Sequence, residues 1–505
     1  MTTPTNTYAL NDRPPLRVAV PLGLQHVMVM MASNVTIPVV LASAIGATPE
    51  DTAFLVQVAL LVAGISTLIQ TLGIGPVGAR LPIVQGTSFG FLVVSIPIAQ
   101  EYGLAAVFGG AVFAGVVQVV FGFFFHKVRH LFPPVVAGIV VLVIGIGLIP
   151  TGILLFAGGA GSPDLGSMRN FGVATFVLIV ILLLYRFGSG IVGAAAVLLG
   201  LVAGYAVASV SGMVEWGRIA EAAWFSAPAP MHFGLEFPAA ALVAFGAMAI
   251  ATSIETVGDI SALTKAGEGR QPTTKEMNGG LMGDGVGTAI AGLFSALPNT
   301  SFAQNVGLVA FTGVMSRFVV TIGAIFLVAA GFVPKLAMVI AVVPSAVIGG
   351  AAVVMFGMII STGINLITTR PLTQNDLIIV AVSVLVGQGF AWRPEIAERF
   401  PDNIEALMTT GIVPSAVLAS ALYMMKPRRE RMLDIDVPST GMVEDATHGG
   451  ALDPDVRGPL DADGRGAVDA DGARDPREDG AVDPDARAPR PDRDEGPTHR
   501  RSTDP

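Results

Sequence analysis

Long apolar runs dominate this chain and leave few folds open to it. Stretches of about 20 residues with few charges recur from residue 15 to residue 425, and about 20 residues let an α-helix cross the roughly 30 Å hydrocarbon core of a bilayer. We therefore predict an all-α, multi-pass membrane protein of fourteen spans, near residues 15–44, 52–74, 83–100, 104–125, 135–156, 170–185, 189–210, 237–257, 277–297, 300–314, 318–334, 337–366, 376–391 and 409–425.

Charge is scarce in this apolar body and concentrated in the tail. Charged residues make up 13% of the chain, against about a quarter in soluble proteins. The last 74 residues hold 19 acids and 9 bases, whereas the first 431 residues are nearly neutral, with 19 acids and 20 bases. The formal charge of −9 therefore says nothing about what the body binds, and we predict no nucleic-acid partner.

The loops between spans alternate in charge. One set contains most of the Lys and Arg, including Arg80, Lys127, Lys275, Arg317 and Arg370, and the other set is mainly acidic. Cytoplasmic loops are the ones enriched in Lys and Arg, so both termini should be cytoplasmic. The polar N-terminus lacks the pattern of a cleaved signal peptide. We predict a plasma-membrane protein with residues 1–14 as a cytoplasmic N-terminus.

The end of the chain differs in composition from the spans. Residues 433–505 repeat Asp, Pro, Gly, Ala and Arg loosely, and such low hydrophobicity with excess charge cannot offset the entropy of ordering. We predict that residues 426–505 form a disordered, acidic cytoplasmic tail. It is either a solvated appendage or a regulatory segment.

A short internal repeat points to a transporter. Pro82 is followed by Thr87-Ser88-Phe89, and Pro298 is followed by Thr300-Ser301-Phe302, an offset of 213 residues, or about half of the membrane region. Both copies lie in apolar segments interrupted by Gly, Pro, Thr and Ser. Paired broken segments are typical of transporters built from inverted repeats, with the binding site at the breaks. We expect Phe89 and Phe302 to line a substrate cavity and to contact a planar ligand.

Ionisable side chains in or at the ends of the predicted spans are scarce, and such residues usually mark function. With neighbouring amides, the ones that we single out are Gln25, His26, Glu255, Asp259, Asp284, Gln304 and Asn305. Glu255 and Asp259 are four residues apart and share a helix face, where two carboxylates resist simultaneous ionisation as a proton-coupling site requires. Asp259 could instead be a solvated, helix-orienting residue. His26 is either a structural hydrogen-bonding residue or a proton carrier, and Asp284 either joins helices or takes part in coupling.

Several other chemistries lack their motifs. The chain has no Cys, and no second His lies at metal-ligand spacing from His26, so we predict no metal site and no cofactor. The spans contain no H-E-x-x-H, no Asp-rich diphosphate motif and no G-x-S-x-G elbow, which argues against a membrane enzyme. A passive channel would need a ring or stripe of pore-lining groups rather than one compact set.

The segment Gln304-Asn305-Val306-Gly307-Leu308-Val309-Ala310-Phe311-Thr312-Gly313 resembles the signature of the nucleobase–ascorbate transporters, or nucleobase:cation symporters, written [Q/E/P]-N-x-G-x-x-x-x-T-[R/K/G]. Gln25-His26, the SIETVGD segment and the GDG segment occur in the order that this family shows, so the resemblance covers residues 15–425.

The resemblance implies two inverted repeats of seven helices, with spans 3 and 10 broken by short extended segments. Spans 1–4 and 8–11 would form a core domain, and spans 5–7 and 12–14 a gate domain, usually in a homodimer. The expected boundaries are 15–134 and 237–336 for the core, and 135–236 and 337–425 for the gate. The core would move against the gate in elevator-type alternating access.

The resemblance also implies roles for individual residues. Glu255 would hydrogen-bond the base, Gln304 would set the substrate class, and Phe302 would stack on the ring. Backbone groups of Phe89 and Ala303 would complete the contacts. The positions that support the site or the coupling are Gln25, His26, Asp259, Asp284 and Asn305, and Gly307 and Thr312 complete the motif.

The first motif residue is informative about the substrate. Uracil carriers of this family tend to have Glu there and ascorbate carriers Pro, whereas Gln304 resembles the xanthine and uric acid branch. A Gln amide offers one donor and one acceptor, which matches the C=O and N–H pair of an oxidised purine. Asp259, where uracil carriers often have His, favours a purine, and Gly313, where many purine carriers have Arg or Lys, leaves xanthine and urate both open. We expect symport with H⁺, with Na⁺ as the alternative ion and a uracil permease as the alternative function.

Overall fold

The computed structural model describes residues 8–128 and 133–427. The predicted tail, beyond residue 427, and the first seven residues of the predicted N-terminus lie outside the described residues. The helices up to residue 221 are α1 (Leu16–Ile45), α2 (Pro49–Leu72), α3 (Phe89–Tyr102), α4 (Leu104–Val128), α5 (Pro134–Gly147), α6 (Ile149–Phe156), α7 (Met168–Phe187), α8 (Ile191–Ala194), α9 (Ala196–Val210) and α10 (Trp216–Glu221).

The second part of the described chain is also helical. Its helices are α11 (Ala239–Glu268), α12 (Thr274–Leu293), α13 (Ala303–Thr312), α14 (Arg317–Ala330), α15 (Pro334–Ala341), α16 (Ser345–Ile367), α17 (Gln374–Trp392), α18 (Asp402–Thr409) and α19 (Ile412–Met425), with a 3-10 turn at Pro394–Ile396. Almost every predicted span therefore coincides with one helix or with two short consecutive ones.

Length and composition confirm a multi-pass membrane protein. Within the described residues, eight helices, with α5 and α6 taken as one, are long and apolar enough to cross a bilayer, and nine are if the bent pair α14–α15 forms one span. The remaining predicted spans coincide with shorter or less apolar helices, among them α3, α9, α13 and α19. About half of the surface of Ile179, Leu182 and Leu183 on α7 is exposed, as suits side chains that face lipid.

Two predicted boundaries are wrong. The eighth span was expected to end at residue 257, but α11 continues to Glu268. A single span was expected over residues 337–366, but residues 337–341 belong to α15, which is bent by 83° relative to α14, and α16 begins only at Ser345. Proline has no backbone N–H, which costs nothing in the first turn of a helix because that N–H has no partner in the helix. Pro334 begins α15 and Pro344 precedes α16, so each proline separates a helix from the segment before it.

Two short strands form the only described sheet. β1 (Gln85–Thr87) and β2 (Asn299–Ser301) are antiparallel, with Gly86 opposite Thr300 at the centre. All six residues are buried. A buried extended segment would leave its backbone N–H and C=O groups unpaired, and in a membrane interior such groups need a partner within the protein. Each broken segment supplies the hydrogen bonds that the other one lacks.

Glycine lets the helices around the strands approach closely. A Cβ atom on Gly115 of α4 would lie 2.5 Å from the carbonyl oxygen of Gly285 on α12, and one on Gly64 of α2 would lie 2.7 Å from that of Ala324 on α14. Both distances are shorter than any real contact of a Cβ, so α4 touches α12, and α2 touches α14, through their backbones. Small residues at such crossings are typical of helix packing in membranes.

Candidate functional site

The two strands lead directly into two helices. α3 starts at Phe89 after the N-cap residue Ser88, and α13 starts at Ala303 after the N-cap residue Phe302. Neither N-cap residue forms a side-chain hydrogen bond to the first turn of its helix. The first backbone N–H groups therefore have no side-chain cap, and the N-terminus of a helix attracts electronegative groups of a ligand.

Glu255 is a half-buried carboxylate on α11. Among the described residues, no side chain or backbone group forms a hydrogen bond or ion pair with it, although Asp259 and Asp284 are close enough to interact with it electrostatically. A carboxylate in this setting is costly unless something hydrogen-bonds it. Its free acceptor oxygens are available to a ligand.

Asp259 connects α11 to the strand β2. The hydroxyl of Ser301 donates a hydrogen bond to the Asp259 carboxylate over 2.6 Å, and Asp259 is buried. Because Ser301 lies just before α13, this bond places the first turn of α13 beside the part of α11 that includes Glu255. Gln304, the second residue of α13, is half-buried, and its amide has no partner within the described part of the chain.

Asp284 is fully buried on α12 and joins three helices. The hydroxyl of Thr256 on α11 donates a hydrogen bond to one carboxylate oxygen, and the amide of Gln70 on α2 approaches the other to 3.5 Å. Gln70 also donates to the carbonyl oxygen of Gly280 over 2.8 Å. The Ser301 hydroxyl, which binds Asp259, also lies 3.5 Å from the Thr256 hydroxyl, so two hydroxyl groups connect Asp259 with Asp284. Glu255 precedes Thr256 in the sequence and has no hydrogen bond to this chain of groups.

His26 and Asn305 form one unit. The Asn305 amide nitrogen donates to the carbonyl oxygen of His26 over 2.9 Å and lies 3.1 Å from the Nδ1 atom of its ring. Both residues are buried. This pair links α1 to the first turn of α13. Gln25 is half-buried beside it, with no described hydrogen bond.

The two predicted aromatic residues have different surroundings. The ring of Phe302 is 5% exposed and covers Gly86 of β1, where a Cβ atom would lie 2.4 Å from the ring. Phe89 is half-buried and meets Phe356 of α16 edge to face, with ring centroids 5.8 Å apart. Phe302 therefore packs tightly against the sheet, while Phe89 touches a residue from the predicted gate domain.

The last two motif residues end α13 rather than joining the group of carboxylates. The Thr312 hydroxyl donates to the Leu308 carbonyl oxygen over 2.8 Å, and Gly313 adopts a left-handed conformation with φ of 65° that suits glycine. Gly307 is exposed, and a Cβ atom there would meet nothing within 4 Å. Packing in this structure does not account for that glycine.

Sequence reasoning missed several residues that hold this site together. Ser301, Thr256, Gln70 and Phe356 are neutral, and neutral side chains inside a span attract no notice when ionisable groups are sought. Ser301 had a signal, because it belongs to the repeated Thr-Ser-Phe sequence. Thr256 lies in the SIETVGD segment and Gln70 is an amide inside a predicted span, but their partners depend on contacts between distant parts of the chain. Phe356 has no sequence signal.

The fold matches that of a solved membrane domain. It is similar to the transmembrane domain of the cyanobacterium bicarbonate transporter BicA, with a TM-score of 0.52 at 16% sequence identity over 81% of this chain and 97% of that one. At this identity the likeness shows a shared fold and nothing about substrate. The described part of the chain therefore shares the fold of that transmembrane domain.

Sequence comparison then identifies the family. A permease family model matches residues 17–396. The chain is 36% identical to the xanthine permease of Bacillus subtilis (strain 168), over 79% of this chain and 92% of that one. It is also 36% identical to the uric acid permease PucJ of the same organism, over 81% of this chain and 93% of the relative. This chain belongs to that permease family, and it is a transport protein, not an enzyme.

Proposed function

We propose that this protein is a secondary active transporter that imports a purine nucleobase, xanthine and/or uric acid, together with a cation. The names of the similar permeases support the substrate class. The observation that carries the proposal is the pair Glu255 and Gln304, a carboxylate and an amide without described partners beside two helix N-termini that lack side-chain caps.

The chemistry of this pair suits an oxidised purine. Such a base presents alternating C=O and N–H groups along its edges. The Glu255 carboxylate would accept one or two ring N–H bonds in a charge-assisted arrangement, and the Gln304 amide would donate to a carbonyl and accept from an N–H. The first N–H groups of α3 and α13, including those of Phe89 and Ala303, would donate to the remaining carbonyl oxygens. Phe302, next to Ala303, would lie against the ring.

Proton coupling is the part of this proposal that the carboxylates support. Glu255, Asp259 and Asp284 lie close together in a buried region, and only Asp259 and Asp284 are hydrogen-bonded by described neighbours. Burying several negative charges in a low-dielectric region is unfavourable, so this group favours a bound proton or cation. A proton needs only a carboxylate, whereas Na⁺, the alternative, needs several oxygen ligands. Gln25, His26 and Asn305 would fix the position of α13 relative to these carboxylates.

The two halves of the chain, we propose, form inverted repeats of seven spans each. In each half a threonine of the second long helix holds the strand: Gln85 N donates to the hydroxyl of Thr67 over 2.9 Å, and Asn299 N donates to that of Thr288 over 3.3 Å. The 213-residue offset of the sequence repeat also relates the strand pairs to each other. Gly86 corresponds to Asn299 and Thr87 to Thr300, so the pair Gly86–Thr300 corresponds to the pair Thr87–Asn299. A local two-fold axis through the sheet accounts for both observations.

In the proposed movement, a core domain moves relative to a gate domain. Residues 15–134 and 237–336 would form the core, and residues 135–236 and 337–425 the gate. The contact between Phe89 and Phe356 joins these two parts beside the site. In elevator-type alternating access that contact would break as the core moves. We further propose a homodimer in the plasma membrane with both chain termini in the cytoplasm.

Uptake of radiolabelled xanthine tests this function. We expect cells that lack their own carriers to accumulate xanthine when they express this protein, with competition from unlabelled urate but not from uracil or ascorbate. A protonophore should abolish the accumulation. Competition by uracil alone would identify a uracil permease instead, and accumulation that depends on external Na⁺ and survives a protonophore would exclude H⁺ coupling.

A further inference from the structure

We propose that the basic end of the helical body contains a binding site for the phosphate headgroup of an anionic phospholipid. A cavity of about 810 Å³ opens there, and none of the residues assigned to transport lines it. It is lined by the loop after α2, the last turns of α4, the first turns of α12 and the first residue of α14. These segments belong to the connections whose Lys and Arg content indicates the cytoplasmic side.

Four bases line this cavity: Arg80, Lys127, Lys275 and Arg317. Among the described residues, none of the four forms a salt bridge with a carboxylate. The guanidinium groups of Arg80 and Arg317 each donate one long hydrogen bond of 3.4 Å to a backbone carbonyl oxygen. Unpaired guanidinium and ammonium groups that converge on one cavity favour an anion with several acceptor oxygens, as a phosphate has.

One carboxylate also lines the cavity, but it is already neutralised. Arg270 donates two parallel hydrogen bonds to Glu276, over 2.8 Å and 2.6 Å. Such a bidentate pair is a stable unit. Glu276 therefore does not compensate the four bases, and the cavity keeps a net positive charge.

The position of Arg80 is fixed by its backbone. Its φ of 58° lies in the left-handed region, which residues other than Gly, Asn and Asp rarely adopt. Its N–H donates to the Gln70 carbonyl oxygen over 2.7 Å, and its side chain covers Gly73, where a Cβ atom would lie 2.6 Å from it. Strained residues of this kind cluster at binding sites, where the surroundings hold them in place.

The apolar side of the cavity distinguishes a lipid from a free phosphate ion. Phe123 and Phe124 at the end of α4 also line it, and they are 63% and 45% exposed. The ammonium group of Lys127 lies 5.6 Å from the centre of the Phe124 ring, so bases and aromatic rings form one surface. At a membrane interface, exposed aromatic rings can contact the acyl chains of a phospholipid while neighbouring bases bind its phosphate. The acidic segment 428–505 is an alternative partner for the bases, but it contains no aromatic residue and does not explain the rings.

Binding of phosphatidylglycerol to the full-length protein tests the site. The variant Lys127→Gln/Lys275→Gln removes two exposed bases of the cavity, and Arg186→Gln/Lys265→Gln removes two exposed bases of the same set of loops outside it. Titration followed by native mass spectrometry should give a roughly 30-fold weaker affinity for the first variant, since each base near an anionic lipid contributes a factor of roughly five. The second variant should stay within about threefold of the unchanged protein.

Three results would overturn the proposal. Equal weakening in both variants would mean a diffuse charge effect rather than a site. Displacement of the lipid by millimolar inorganic phosphate would mean a small-anion site. A lower unfolding temperature of the first variant in phosphatidylcholine alone, with unchanged binding of phosphatidylglycerol, would mean that the bases hold another part of the chain, such as the acidic tail. None of these results depends on whether the protein transports purines.

Discussion

Replacing Glu255 by Gln should abolish concentrative uptake of xanthine and weaken its binding about 10- to 150-fold. A hydrogen bond to a charged group contributes about 1.5–3 kcal/mol, and Glu255 is the one carboxylate of the group without a described hydrogen-bond partner. The amide of Gln keeps the shape of the side chain but removes the charge and one acceptor. It also removes a proton-binding group from the set that includes Asp259 and Asp284.

A carboxylate outside the site provides the matched control for this variant. Glu236 is exposed in the segment before α11, so Glu236→Gln removes the same charge without touching the site. We expect its xanthine uptake to equal that of the unchanged protein. Normal accumulation in Glu255→Gln cells, at equal amounts of protein in the membrane, would remove Glu255 from both binding and coupling.

The change Gln304→Glu should redirect substrate preference. It replaces a side chain that donates and accepts with one that, when ionised, only accepts, and it adds a fourth carboxylate beside the buried group. A site built to hydrogen-bond a ligand discriminates strongly when a donor is lost, so we expect xanthine binding to fall about 10- to 100-fold. Competition by uracil should rise relative to competition by urate.

Gln374→Glu is the control for this second variant. Gln374 is the first residue of α17 and is exposed, and an acid in the first turn of a helix is well tolerated. Competition assays with xanthine, urate and uracil should give the same order for Gln374→Glu as for the unchanged protein. If Gln304→Glu also leaves the order of competition unchanged, residue 304 does not determine the substrate preference.

Much of the architecture could be predicted because membranes constrain sequences so strongly. A span needs a run of apolar residues of fixed length, so the run itself marks the helix. The Thr-Ser-Phe repeat located both strands, since the strands end within one or two residues of Phe89 and Phe302. The same repeat indicated that these two segments correspond to each other, and the structure pairs them as β1 and β2.

What the sequence could not predict depends on contacts between distant segments. Hydropathy could not show that residues 337–341 belong to α15, which is bent by 83° relative to α14, rather than to α16, because these residues are apolar and suit either helix. The bond from Ser301 to Asp259 and the contact of Phe89 with Phe356 join residues more than 40 positions apart. Hydrophobic periodicity carries no information about such pairs.

Counterflow in proteoliposomes tests the central claim most directly, because it requires both binding and translocation but no ion gradient. Purified protein would be reconstituted in vesicles loaded with unlabelled xanthine and then diluted into a trace of radiolabelled xanthine. We predict a transient accumulation of label that urate loading also supports, that uracil loading does not support, and that Glu255→Gln lacks. No accumulation with any loaded base, from protein that is folded and correctly inserted, would contradict the account.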